Sequence, residues 1–477
     1  MPHILSLDAD RLFPAEPGQR RLARALYAGV QGLPIISPHG HTDPAWFAGN
    51  QPFGDAHALL LRPDHYAFRM LYSQGIALAA LGVGPQGRGA DPRAAWRLLA
   101  EHWHLFRATP TRMWLDWVFV EVFGMEVMLE AATADLYYDT ITQALATPAF
   151  APRALYDRFN IEVIATTESP LDDLAHHAAI LADNAKPAGT PGAWAGRVIT
   201  AYRPDPVIDP EFEGFAANLA RFGEITGEDT HTWAGYLAAH RQRRAFFAAH
   251  GATSTDHGHP TAQTANLPAD EAQALFARIV KGAFTAAEAE LFRAQMLTEM
   301  AAMSIEDGLV MQLHPGSFRN HNTDLFARCG RDKGADIPTR TDFVHALRPL
   351  LDRFGNDPRL SLILFTLDES AYARELAPLA GHYPCLKLGP AWWFHDSPEG
   401  MRRYREMTTE TAGFYNTVGF NDDTRAFLSI PARHDVARRV DCAFLARLVA
   451  EHRLADWEAA ELAQDLAYGF AKKAYRL

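Results

Sequence analysis

The stretch LPIISPHGHTDP, Leu33 to Pro44, ends a short apolar run in two histidines two positions apart. Side chains alternate faces along a strand, so His39 and His41 converge if the strand runs through them. Two solvated loop histidines share that spacing, so the rest of the chain has to decide. Seven further runs repeat the layout of small and aliphatic residues ending abruptly in polar ones. They are IEVIATTES (Ile161–Ser169), RVITAYRPD (Arg197–Asp205), AAHGATSTDHG (Ala248–Gly258), LVMQLHPG (Leu309–Gly316), SLILFTLDES (Ser361–Ser370), PCLKLGPAWW (Pro384–Trp393) and TVGFNDDTR (Thr417–Arg425). Such runs fit parallel strands covered on both faces. Helical stretches rich in Ala, Leu, Glu and Arg separate most of them. The pattern predicts an α/β fold, a (β/α)8 TIM-like barrel.

The gap between the first two runs is too long for one connecting helix. Aromatic-rich amphipathic patterns fill it, such as RAAWRLLAEHWHLF and TRMWLDWVFVEVFG. Residues 1–47 and 156–477 are therefore read as the barrel, and 48–155 as a helical insertion on the first βα loop. That loop lies at the C-terminal rim of the strands, where barrel active sites form, so the insertion is expected to act as a lid.

The 477 residues are 48% hydrophobic and 21% charged, with a formal net charge of -12. An acidic balance without a basic block argues against nucleic-acid and anionic-membrane partners. Cys329, Cys385 and Cys442 form no CxxC pair and no disulfide framework, which points to a reducing compartment. The start, MPHILSLDADRLF, reads as no secretory leader, and no apolar run is long enough to span a bilayer. A cytoplasmic protein is expected, and a homo-oligomer fits an enzyme of this size. No GxxxxGK[ST] is present, so nothing calls for a nucleotide.

The strand ends, taken together, carry His39 and His41, Arg203, Asp256 and His257, His314 with Arg319 just beyond, Trp392 and Trp393, and Asp423 and Arg425. In a closed barrel the eighth strand pairs with the first, so Asp423 faces the two histidines. Two imidazoles and a carboxylate suit one divalent metal, zinc in first place, with manganese or iron tolerated. Asp423 also fits a helix N-cap, a job Asp422 can equally do. Arg203 and Arg425 offer planar two-pronged donors for a carboxylate. Asp256 and His257 are read as an internal hydrogen-bonded pair bracing the rim; Arg433 or His434 could reach the pocket from the last loop, but a solvated loop pair is the commoner outcome and is the expectation.

In chain order, SPHGHTDP, DHYAFRML, YRPD, TDHG, QLHPGSFRNHN, GPAWWFHD and DDTRAFLSIPARHD resemble the uronate isomerases, also called glucuronate isomerases, of the amidohydrolase superfamily. The resemblance covers nearly the whole chain. It implies an aldose–ketose isomerase that interconverts D-glucuronate with D-fructuronate and D-galacturonate with D-tagaturonate, by proton transfer from C2 to C1 through an enediol. It implies a metal on His39, His41 and Asp423, with Asp423 also in base catalysis. Tyr66 matches the family tyrosine that shuttles protons between O1 and O2, and His65 a substrate contact. His314, Arg319, Trp392 and Trp393 are then substrate-binding residues, with Arg203 and Arg425.

Hydrolases of the superfamily with two metals carry a lysine or glutamate on strand four and a histidine on strand six. Neither is present here, which favours a single metal. Where family members often read HIGALRNNN after strand five, this chain reads HPGSFRNHN, which keeps His314, Arg319 and Asn320 but places a proline in the loop. A mononuclear hydrolase of lactones, esters or amides uses the same two histidines and aspartate and is the alternative reading. A sugar-acid binding protein without turnover is the third.

Overall fold

The computed structural model describes residues 2–477. Seven strands form one all-parallel sheet. They are β1 (Ile35–Ser37), β2 (Ile161–Glu168), β3 (Arg197–Tyr202), β4 (Ser254–His257), β5 (Val310–Leu313), β8 (Leu362–Leu364) and β9 (Leu386–Leu388). Each lies within one of the first seven runs named above. A small antiparallel hairpin, β6 (Ser317–Phe318) with β7 (Ile337–Pro338), interrupts the long connection between β5 and β8. The fold is the (β/α)8 barrel expected from the strand pattern.

The eighth run departs from that expectation. It pairs with β9 only at Leu388 and Thr417, where Val418 N donates to the Leu388 carbonyl at 3.1 Å. The backbone then leaves strand geometry, because Gly419 (φ 77°) and Asp423 (φ 38°) both take left-handed conformations. A single hydrogen bond, His41 N to the Thr424 carbonyl at 3.0 Å, joins this segment to the chain beyond β1. The ring is thus completed by a strand position that is not a regular strand.

Between β1 and β2 the chain is helical. Helix Pro92–Glu101 shows why: Asp91 accepts from Arg93 N, and proline occupies the first turn, where its missing N–H has no helical partner to lose. Ala95, Trp96, Leu99 and Ala100 form its buried face. These side chains join Phe119, Tyr137 and Ile141 in a core that continues to Ile35, Ile161 and Ile164 of the sheet. The insertion is therefore packed onto the barrel through a shared apolar core.

Helix Ile430–Ala450 lies behind the site and is buried on nearly every side. Its buried arginines are held by carboxylates or by backbone carbonyls. Arg438 donates to the carbonyls of Gln31, Leu33 and Pro34 at 2.9, 2.9 and 3.0 Å and so anchors the entry to β1. Arg405 reaches in from the preceding helix to Asp441 at 2.6 Å. At the other end of the strands Tyr475 is fully buried and donates to Gln312 Oε1 at 3.0 Å. Ala471 packs there with Ile36, Val163, Ala165 and Ile199, filling the barrel floor. Among the described residues, no helix is long and apolar enough to cross a membrane.

Candidate active site

The strand ends meet in one cavity of about 710 Å³. His39, His41, His65, Tyr66, Arg203, His314, Arg319, Trp392, Trp393, Asp423 and Arg425 all line it. Residues as far apart in sequence as His39 and Asp423 share its wall because the barrel brings every strand end to one rim.

His39 and His41 lie past the last residue of β1, in backbone that is no longer strand. Strand alternation is therefore not what brings them together. The Gly40 carbonyl accepts from Thr167 Oγ1 at 3.0 Å and His41 N donates to Thr424, so the segment is clamped between β2 and the Asp423 segment. His39 Nε2 and His41 Nε2 lie 3.4 and 3.2 Å from Asp423 Oδ1. Burial pushes the Asp423 carboxyl up, but His39 and His41 outweigh it and hold the group far below the usual carboxylate range. Neither Asp422 nor Asp423 caps a helix; Asp422 instead accepts from His434 Nε2 at 3.1 Å.

The spacing of the three donor atoms fits a shared metal ion. Two ligands about 2.0–2.1 Å from one ion at the tetrahedral angle stand roughly 3.3–3.4 Å apart. The two nitrogen-to-oxygen separations match that edge, and Asp423 Oδ1 is buried without a hydrogen-bond donor. The ligand atoms of all three residues lie within 4.8 Å of one another. His39, His41 and Asp423 are the residues that could hold a metal ion here.

Asp256 does not pair with His257. The two are neighbours on β4 and point to opposite faces, so His257 Nε2 meets Thr255 Oγ1 at 3.0 Å instead. Asp256 is completely buried, with Oδ1 2.6 Å from His314 Nε2 and Oδ2 3.2 Å from Arg203 Nη1. Burial raises its pKa, yet His314, His39 and Arg203 together hold it well below the ordinary value. Arg203 also donates from Nε to Asp205 Oδ2 at 2.8 Å. Two carboxylates thus fix its guanidinium plane at the cavity wall.

Gly258 completes that cradle. A Cβ there would come within 2.9 Å of both Asp205 Oδ2 and His314 Cε1, and closer still to Arg203 Nη2. Gly258→Ala is expected to displace Arg203 and lower kcat/KM about tenfold or more, mainly through KM, with the fold retained. Steady-state kinetics beside a thermal melt check this; an unchanged KM would remove Arg203 from substrate binding.

From the insertion, helix His65–Tyr72 starts at Asp64, whose Oδ1 accepts from Tyr66 N at 2.8 Å. That cap puts the first two helical residues at the cavity wall. The His65 and Tyr66 rings stack at 4.5 Å between centroids. Burial, with the charges of Arg425 and Arg69, pulls the His65 pKa down to about 3, so the ring is neutral at neutral pH. Burial pushes the Tyr66 phenol far above its ordinary range.

Arg425 lies 3.4 Å from Asp332, and Arg319 pairs with Asp336 at 2.8 Å while stacking 5.0 Å from the Trp393 ring centre. Trp392 is buried, donates to the Thr366 carbonyl at 3.2 Å and sets its ring 5.2 Å from His314.

Several lining residues escaped the sequence reading. Arg331, Asp332 and Asp336 belong to the polar run RDKGAD after β6, and Arg331 stacks on Phe212 of another loop at 4.2 Å. Asn320, Asp332, Trp393 and Asp423 all hold positive φ and all line the cavity. Such backbone costs of order 1–3 kcal/mol each for an ordinary residue and concentrates at functional sites. Only the Gly- and Asp-rich composition of these loops hints at it beforehand. Arg433 and His434, expected as a solvated loop pair, are instead buried on helix Ile430–Ala450.

The model of the glucuronate isomerase family matches residues 18–475. The chain belongs to the glucuronate isomerase family. It is 72% identical to a uronate isomerase of Sphingopyxis alaskensis, with 100% of both chains covered. It superposes on the crystal structure of glucuronate isomerase from Caulobacter crescentus with a TM-score of 0.96 at 65% identity, covering 99% of this chain and 98% of that one. A uronate isomerase from Thermotoga maritima matches with a TM-score of 0.90 at 27% identity, over 98% and 99% of the two chains. The protein is an isomerase, and the hydrolase alternative is not favoured.

Proposed function

We propose that this isomerase interconverts D-glucuronate with D-fructuronate and D-galacturonate with D-tagaturonate. The observation that carries this reading is the meeting, in one cavity, of a candidate metal-binding set, two arginines and a half-buried tyrosine phenol. An aldose–ketose shift of an acid sugar needs a base at C2, a carrier for oxygen-bound protons and a grip on the anion.

His39, His41 and Asp423 would hold one divalent cation, and two imidazoles with a carboxylate put zinc in first place. When bound, the cation supplies positive charge to the acid end of the sugar and acidifies a hydroxyl beside it. Arg203 and Arg425 bind the anionic sugar by paired N–H donors. Asp423 receives the C2 proton and returns one to C1. Tyr66 gives its proton to O1 and takes the one on O2. Neutral His65, with His314 and Arg319, makes polar contacts, and Trp392 and Trp393 wall the sugar. Residues 48–155 act as a lid, a role supported by His65 and Tyr66 coming from that segment. Three free, buried cysteines fit work in the reducing cytoplasm.

The test is incubation of the purified protein with D-glucuronate in D2O, followed by NMR. Ketose carrying solvent deuterium at C1 is expected. Hydrolysis of a lactone panel without uronate turnover would overturn the reading.

A further inference from the structure

Arg433 takes no part in lining the cavity, yet it touches three of the segments that build it. It projects from helix Ile430–Ala450 and is 1% exposed. Its Cζ sits 3.5 Å from the Trp114 ring centre and 5.4 Å from that of Tyr66, both on the inserted helices. Nη1 donates to the carboxylate of Asp396, just beyond Trp392 and Trp393, and to the Asp422 carbonyl at 3.4 Å, one residue before Asp423. Nε donates to Ser429 Oγ at 3.2 Å. The Tyr66 ring meets the same Trp114 edge-on at 5.7 Å. One buried guanidinium therefore holds the phenol-bearing helix, the tryptophan loop and the Asp423 segment in a single arrangement.

We propose that Arg433 is a positioning residue for the proton carrier, holding the Tyr66 ring and stabilising the negative charge on its oxygen during transfer. The inference rests on the reading of Tyr66 as that carrier. In the step, the Tyr66 O–H bond breaks as the O1–H bond forms on the enediolate, leaving a phenolate. The phenolate then takes the proton from O2 as C2=O2 forms and C1 accepts the proton held by Asp423. The tyrosine ends neutral, with no electron gained or lost. A phenolate in a buried site is costly without a nearby cation. Arg433 is the foremost positive charge acting to lower the Tyr66 pKa against burial. A buried Arg–Asp pair with no functional task is often replaceable by apolar groups, so structure alone is a weak reason for this one.

The test compares Arg433→Met in the wild-type and Tyr66→Phe backgrounds, reading kcat and KM for D-glucuronate. In the wild type, kcat is expected to fall about a hundredfold with KM within about threefold, and Arg433→Lys to recover at least a tenth of wild-type kcat. In Tyr66→Phe the same substitution is expected to cost less than about threefold further, because the charge it removes has no phenolate to serve. Arg433→Met leaves Asp396 buried and alone, so the comparison is repeated in Arg433→Met/Asp396→Asn, whose pair is neutral. An equal loss in both backgrounds would make Arg433 a structural brace and overturn the proposal. Full activity of Tyr66→Phe by itself would overturn the carrier reading, and this proposal with it.

Discussion

Asp423→Asn is expected to lower turnover of D-glucuronate by about a thousandfold or more, with the fold unchanged. The reasons are two, and they act together. An amide cannot receive the C2 proton, and general-base contributions run about 10²–10⁴-fold. An amide also brings no negative charge to the metal-binding set, where the carboxylate faces two imidazole nitrogens at 3.2 and 3.4 Å. Metal content should therefore fall with activity, and elemental analysis beside kinetics measures both. Asparagine is the informative substitution because the position has φ 38°, a left-handed backbone that Asn tolerates and most residues do not. A melting temperature within a few degrees of wild type is expected. Turnover within tenfold of wild type, with metal retained, would take Asp423 out of both roles.

Tyr66→Phe is expected to lower kcat about 10²–10³-fold while KM changes by no more than a few-fold. The ring would keep its stack on His65 and its edge contact with Trp114, so the cavity wall is preserved. What disappears is the hydroxyl proposed to move a proton between O1 and O2. Removal of the C2 proton by Asp423 remains possible, so the intermediate forms and returns to aldose. In D2O, the ratio of deuterium at C2 of recovered D-glucuronate to ketose formed should rise over wild type. If kcat falls and that ratio does not move, the hydroxyl serves substrate placement, and the carrier role passes to another group.

The two substitutions separate the carbon-bound proton from the oxygen-bound one. In the proposed mechanism Asp423 serves the first and Tyr66 the second, and they come from opposite ends of the chain: one after the last strand position, the other on the insertion after β1. That separation explains why the insertion belongs to the catalytic proposal and is not an ornament on the barrel. The cavity has one wall from the strand ends and another from the inserted helices, joined behind by helix Ile430–Ala450.

Much of this is legible in the sequence. Short apolar runs ending in polar residues are a local property, set by burial on both faces of a parallel strand, so seven strands fell where the runs are. The histidine pair and the DDTR segment stood out because metal-ligating and guanidinium side chains are chemically distinctive wherever they fall. Other features were not readable, for stated reasons. The strand stops at Ser37, so His39 and His41 converge by hydrogen bonds to Thr167 and Thr424, which no periodicity encodes. Asp256 chose His314 and Arg203 over its neighbour His257, since the choice depends on which face of β4 looks inward. Arg433 and His434 looked like loop residues because a run of Arg, His and Asp ordinarily signals solvent. Here each polar side chain meets a partner from another segment, and only assembly of those segments offsets the cost of their burial.

The sequence by itself determined the class of fold, the end of the barrel that carries polar chemistry and the kinds of side chain available there. Those follow from local composition and from the geometry common to all parallel barrels. Only the tertiary structure decided the eighth position's irregular backbone, the left-handed Asp423, the fixing of Arg203 by two carboxylates and the burial of Arg433 behind Tyr66. Each of these depends on contacts between residues far apart in the chain, and the free energy of such contacts exists only once the ring has closed.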